Sequence, residues 1–203
     1  MKKLLFLIIL VVLLAAETVM AAEIGGVVLP ETFKAGDTEL KLNGYGLRTK
    51  FGFKVYAVGM YLKEKSGDNN SILNADQSMA LIMNFRRTVP VKKINGVFYD
   101  SFAAIVKAPK SDNYDETSDY GPLTKEIVGF MEKFAERKVT KKDRFTFVYT
   151  PGKGTVVYLN DSEKESVIIT IPGLEFKKAL FAIWVGEEAP VGAGLKDKLL
   201  GKK

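Results

Sequence analysis

An α+β fold, with one antiparallel sheet covered on one side by helices, is what this sequence predicts. Two observations carry the prediction. Segments alternating with a period of two bracket two segments whose apolar residues recur at helical spacing. The order is strands, two helices, strands, helix, and segregation of that kind argues against a βαβ parallel sheet.

Ile24–Leu29 and Thr38–Leu42 read as short strands, with Ala35-Gly36-Asp37 between them as a turn. Phe51–Leu62 (FGFKVYAVGMYL) is rich in Val, Tyr and Phe and long enough for a central strand. Met79–Arg87 alternates Leu81, Met83 and Phe85 with Ile82, Asn84 and Arg86. After Pro90, the residues Val91, Ile94, Val97, Phe98, Phe102 and Ile105 define an amphipathic helix that Thr88 and Pro90 introduce. After Pro122, Leu123, Ile127, Phe130, Met131 and Phe134 define a second. Strands return at Arg144–Thr150, Gly154–Leu159 and Ser166–Ile171. Turns at Pro151–Gly154 and Asn160-Asp161-Ser162 separate them. Helices near Leu174–Val185 and Leu195–Leu200 close the chain.

The start of the chain reads differently. Lys2 and Lys3 precede an unbroken apolar run from Leu4 to Ala16, and small residues follow, with Val19, Ala21 and Ala22 near the expected cut. This is the pattern of a secretory signal peptide at residues 1–22, its apolar run short for a membrane span. A single domain over residues 23–203 in the bacterial periplasm is the expectation. Removing Lys2, Lys3 and Glu17 takes a net +1 from the +6 of the whole sequence and leaves +5. Such an excess favours anionic small ligands or peripheral contact with anionic membrane lipids. Its scattered distribution among acids does not predict nucleic-acid binding.

The sequence has no Cys and no His. That excludes disulfides, thiolate chemistry, imidazole bases and imidazole metal ligands. Acid–base work would fall to Tyr, Lys, Asp, Glu or a water polarised by Arg, which favours binding over catalysis. The acidic segment Ser111–Gly121 holds Asp112, Asp115, Glu116 and Asp119, but its spacing does not fit an EF-hand and reads as a solvated loop. No cofactor and no metal is expected.

Three segments together resemble the chalcone isomerase-like family. Leu40–Leu62 contains Leu-Asn-Gly-x-Gly-x-Arg, then Lys-Phe-Gly-Phe-Lys-Val-Tyr, then Gly-x-Tyr-Leu. Leu81–Lys93 contains Phe-Arg-Arg ahead of a Lys-bearing helix start. Ala182–Gly201 contains Ile-Trp-x-Gly before Pro, then Leu-Lys-x-x-Leu-Leu-Gly. The resemblance implies an open-faced β-sandwich, a large antiparallel sheet with helices layered on it. It also implies one of two functions: cyclisation of chalcones, as in plant enzymes, or binding of fatty acids without chemistry.

Arg48 matches the family arginine that ends the Gly-x-Gly motif. The resemblance assigns it either a bound water or phenolate, in an enzyme, or the ligand carboxylate, in a binder. A guanidinium forks onto a carboxylate, so it suits the second role well. Tyr56 stands where the enzymes carry Thr and the fatty-acid-binding relatives carry Tyr. Tyr61 is the rival candidate; five residues from Tyr56, it faces the other side of a regular strand. Asn84 and Arg86 share one strand face, as cleft lining or as solvent-facing sheet surface. Arg87, Lys92 and Lys93 read as a basic rim.

The sequence departs from the enzyme pattern. Tyr99 and Asn95 lie out of the expected order, near Lys92 and Lys93 the expected Tyr is missing, and Pro190–Gly194 carries no hydroxyl. The leading expectation is therefore an exported, non-catalytic binder of a small amphipathic anion such as a fatty acid. A chalcone isomerase-type isomerase of a phenolic substrate, and a structural or assembly protein of the envelope, are the alternatives.

Overall fold

The computed structural model describes residues 21–107, 119–135, 139–161 and 165–202. The signal-peptide segment through residue 20 lies outside them, as does most of the acidic segment, residues 111–118.

The strands are β1 (Ala22–Ile24), β2 (Val27–Leu29), β3 (Thr32–Ala35), β4 (Thr38–Lys50), β5 (Phe53–Leu62), β6 (Met79–Phe85), β7 (Arg144–Thr150), β8 (Gly154–Asn160) and β9 (Glu165–Ile171). The helices are α1 (Asn69–Asn74), α2 (Val91–Val106), α3 (Thr124–Ala135), α4 (Leu174–Val185) and α5 (Ala193–Leu199). Strands β3 to β9 form one seven-stranded antiparallel sheet in strict sequence order. Helices α2 and α3 are the excursion between β6 and β7, which remain neighbours in the sheet. The α+β class and the large antiparallel sheet are as the sequence predicts.

Some elements differ. The strand read over Ile24–Leu29 is a hairpin, because Gly25 and Gly26 both take positive φ (61° and 74°) and fold β1 onto β2. The strand beginning at Thr38 continues to Lys50 rather than ending at Leu42. The strand read from Phe51 begins at Phe53, because Phe51 and Gly52 (φ 51° and 76°) form the two-residue turn between β4 and β5. The strand from Met79 ends at Phe85, before Arg86 and Arg87.

The sheet has two apolar faces. Val58 and Met60 of β5, Leu81, Met83 and Phe85 of β6, and Phe145 and Phe147 of β7 face the helices. There Phe98, Phe102, Phe130, Phe134, Phe176 and Trp184 meet them. The rings interlock, with Phe130 and Phe134 stacked at 4.5 Å and Phe98 edge-on to Phe134 at 5.0 Å. Each such pair adds about 0.5–1.5 kcal/mol to simple burial. On the opposite face Leu40, Leu42, Tyr61, Ala80, Ile82 and Val148 are covered by Leu29 and the β1–β2 hairpin.

One buried charge ties the helix layer together. Lys177 of α4 is fully buried and donates to the carbonyls of Ile72 (3.0 Å), Leu73 (2.7 Å) and Ala75 (2.8 Å) at the end of α1. Its ammonium also lies 5.4 Å from the Tyr149 ring, whose hydroxyl donates to Asp76. Burial pushes the ammonium down to about 8, so it is still charged at pH 7. Lys177→Met keeps the stem but leaves three helix-end carbonyls without their donor. We expect a loss of about 2 kcal/mol, read as a lower midpoint in urea with an unchanged slope. An unchanged midpoint would show that water replaces the ammonium at no cost.

Candidate functional site

The site starts from two irregularities in the β4–β5 ladder. Leu42 pairs with Tyr61 but Gly44 pairs with Met60, so Asn43 is an extra residue on β4. The bulge reverses the facing of β4. Leu42 belongs to the β1–β2 side, whereas Gly44, Gly46 and Arg48 all face the helices. A second shift follows Arg48, where Val55 is the extra residue on β5. Between the two bulges Arg48 pairs directly with Tyr56.

The Gly-x-Gly-x-Arg motif thus has a physical meaning. A Cβ on Gly44 would overlap the carbonyl of Lys198 and sit 2.5 Å from that of Leu199, and one on Gly46 would overlap Leu195. The two glycines let α5 lie flat on β4. Asn43 fixes it there. Its amide donates to the carbonyls of Leu199 (2.8 Å) and Ser66 (2.9 Å), and its side-chain oxygen accepts from Ser66 N–H (2.7 Å).

Two residues further along, Arg48 reaches the connection between α4 and α5. Its Nη1 donates to the Val191 carbonyl at 2.8 Å. The guanidinium is half-buried, and among the described residues no carboxylate pairs with it. It lies in an open groove of about 330 Å³ lined by Leu47, Thr49, Val191, Leu195, Lys198 and the small residues 192–194. Val191 and Leu195 are apolar and Arg48 and Lys198 are cationic, while the Leu47 side chain lies on the other face, against Gly25 of the β1–β2 hairpin. That volume is at the small end for small-molecule sites.

Tyr56 stands beside Arg48 on the same face of the sheet. Its hydroxyl accepts from Trp184 Nε1 of α4 at 3.3 Å, and its ring packs edge-on to Phe85 at 5.9 Å. Burial pushes the phenol up to about 12, against smaller opposing effects of the Trp184 bond and the Arg48 charge. The hydroxyl therefore keeps its proton and remains a donor.

The other sequence candidates lie elsewhere. Tyr61 is on the opposite face, fully buried, with its hydroxyl donating to the Pro30 carbonyl at 3.0 Å. Asn84, half-buried, falls on that same face in register with Ala80 and Ile82. Arg86 reaches the β1–β2 hairpin, where Nη1 donates to the Gly26 carbonyl at 3.3 Å. Arg48 and Tyr56 are brought together; Tyr61, Asn84 and Arg86 are not brought to them. Tyr99 is buried on α2 against Tyr120. Trp184, the Val191 carbonyl and Lys198 are site residues that sequence reasoning did not single out. The Ile-Trp-x-Gly motif held the signal for Trp184. Nothing local marks Val191 or Lys198, because only the seating of α5 brings them to Arg48.

Residues 21–201 match the family described as chalcone isomerase-like, and the chain belongs to that family. No curated protein matches it in sequence. Among solved structures it is similar to a fatty-acid binding protein of Arabidopsis thaliana, with a TM-score of 0.66. Identity there is 15%, over 89% of this chain and 96% of that one, a likeness of fold.

Proposed function

We propose that this protein binds a small amphipathic anion, a fatty acid or similar carboxylate, without transforming it. The observation that carries the reading is Arg48: a half-buried guanidinium at the mouth of a groove, with one carbonyl partner and no carboxylate among the described residues. A guanidinium has five N–H donors in a planar fork, and this one has no counter-charge among the described residues. A ligand carboxylate supplies that charge, with the Tyr56 hydroxyl as a neighbouring donor and Lys198 as a second cation. Val191 and Leu195 take the start of the tail. The name of the Arabidopsis neighbour supports the same ligand class.

The test is calorimetric titration of delipidated protein with saturated fatty acids from hexanoate to palmitate. Saturable one-to-one binding is expected. Folded protein that binds no member of the series sinks the reading. The aromatic layer between sheet and helices favours the structural alternative, because those rings already fill the space a long tail would take. A preference for the shorter chains, whose tails fit the open groove, is therefore expected.

The pH dependence is a separate check. With no His in the chain, a guanidinium that does not deprotonate, a phenol held up to about 12 and a lysine as the second cation, affinity should be flat from about pH 6 to 9. It should fall only as the ligand carboxyl itself takes up a proton, below about pH 5. A step near neutral pH, in titrations repeated across that range, would show that a different group holds the anion.

Export belongs to the proposal too. Recovery in the periplasmic fraction, with cleavage after Ala21 or Ala22 read by N-terminal sequencing, is the expected result; protein confined to the cytoplasm with Met1 retained would refute it.

A further inference from the structure

The turn between β4 and β5 carries residues that the fold does not explain. Phe51 is 88% exposed and Phe53 is 60% exposed, the one at the tip and the other at the first position of β5. Phe51 also stands at φ 51°, a left-handed conformation that suits Gly or Asn and not a bulky aromatic. Neither ring adds to the core. Folding alone would favour Asn-Gly at this turn. The strain and the exposure together point to a role outside the fold.

The surroundings of the two rings are cationic. Lys50 Nζ lies 5.7 Å from the Phe51 ring, and the Arg87 guanidinium lies 4.8 Å from the Phe53 ring. Lys54 follows on β5, and Lys92 and Lys93 at the start of α2 lie at the same end of the sheet; all three are exposed. Of the acids near this end, Glu165 pairs with Arg144 at 3.3 Å, and Asp143 accepts from Thr140 N–H and Oγ1 at 2.7 Å each. The result is a convex, two-ring tip collared by basic side chains.

We infer that this tip docks the protein on an anionic phospholipid bilayer, with Phe51 and Phe53 entering the boundary between headgroups and acyl chains. Phosphate headgroups meet Lys50, Lys54 and Arg87. A bilayer fits the geometry better than a protein does. A two-residue protrusion offers far less area than the roughly 1,200 Å² that a stable protein interface needs. A bilayer accepts a convex apolar wedge, and its anionic surface attracts a basic collar. One apolar contact alone gives weak binding, so rings and collar are both required.

The experiment is flotation of the protein with vesicles of phosphatidylcholine alone or mixed with phosphatidylglycerol. The variants are Phe51→Ala/Phe53→Ala and Lys50→Gln/Lys54→Gln. All proteins are recovered after export and share the same processed N-terminus, so any contribution of the N-terminal segment is common to them. Wild type should float with the anionic vesicles, lose that binding as salt is raised, and bind phosphatidylcholine at least tenfold more weakly. Each double variant should lose at least tenfold on anionic vesicles while keeping its melting temperature, since the substituted side chains lie outside the core. Phe51→Trp gives a direct readout, because its emission should shift to the blue on anionic vesicles alone. Equal flotation of wild type and the Phe double variant, or bound Phe51→Trp with unshifted emission, overturns the proposal. So does concentration-dependent dimerisation that the Phe variant abolishes, which would make the tip a contact between copies. Vesicle binding needs no occupant at Arg48, so this inference and the ligand reading fail separately.

Discussion

Gly44→Ala is expected to destabilise the protein by about 3 kcal/mol and to lower its melting temperature by roughly 6–12 °C. The added methyl has nowhere to go. It overlaps the Lys198 carbonyl and lies 2.5 Å from the Leu199 carbonyl. Both are backbone atoms at the end of α5, and Asn43 holds the second of them by a 2.8 Å bond. A flexible side chain would swing aside, but here the whole helix must lift off β4. Leu195 and Lys198 ride on that helix, so the groove should loosen with it. The same substitution at Gly129, inside α3 with no described atom outside that helix's own backbone within 4 Å of the new methyl, should have the opposite sign. There it should stabilise by about 0.5–1 kcal/mol, because alanine loses less backbone freedom on folding than glycine. Thermal melts of the two variants side by side provide the check. Equal melting temperatures would mean that α5 contributes little to the folded state.

Arg48→Ala is expected to weaken carboxylate binding roughly 10–100-fold while leaving stability nearly unchanged. A hydrogen bond to a charged group contributes about 1.5–3 kcal/mol, and about 1.4 kcal/mol is a factor of ten. The guanidinium is half-exposed and, among the described residues, makes one bond, to Val191, so little structure depends on it. Arg48→Lys should fall between, keeping the charge but not the planar fork. Titration of all three proteins with one fatty acid decides the matter. Wild-type affinity in Arg48→Ala would move the anion site elsewhere.

How much of this was legible in the sequence depended on where the local signal was strong. Strands β5 to β9 and the α2, α3 and α4 segments show clear periodicity, and their positions hold to within a few residues, whereas β4 runs on past Leu42 to Lys50. The separation of Tyr56 from Tyr61 was also readable, because β5 runs regularly between them. The pairing of Arg48 with Tyr56 was not. It depends on a turn at Phe51-Gly52 and on bulges at Asn43 and Val55, and no period of two survives an inserted residue. Helix α1 (NNSILN) is short and polar, with Ile72 alone buried, so it carries no apolar stripe to detect. Lys177 was invisible for the converse reason. Nearly all of α4 is buried, and a lysine in such a helix is recognisable only once α1 supplies its three acceptors.

The long excursion between β6 and β7 also governs how the chain assembles. Strands β3 to β5 are joined by two-residue turns, β6 follows after residues 63–78 with α1, and all four can pair soon after they are made. Their helix-side face of Val58, Met60, Leu81, Met83 and Phe85 then waits for cover. So does the free edge of β6, until residues 86–143 have been spanned and β7 arrives. The final lid is the α4–α5 segment, Leu174 to Leu199. A growing or truncated chain that stops short of it presents a greasy face and an open strand edge together, the two features that most promote clumping. Speed of completion, as much as the depth of the finished energy well, therefore decides how much of this protein reaches its working form.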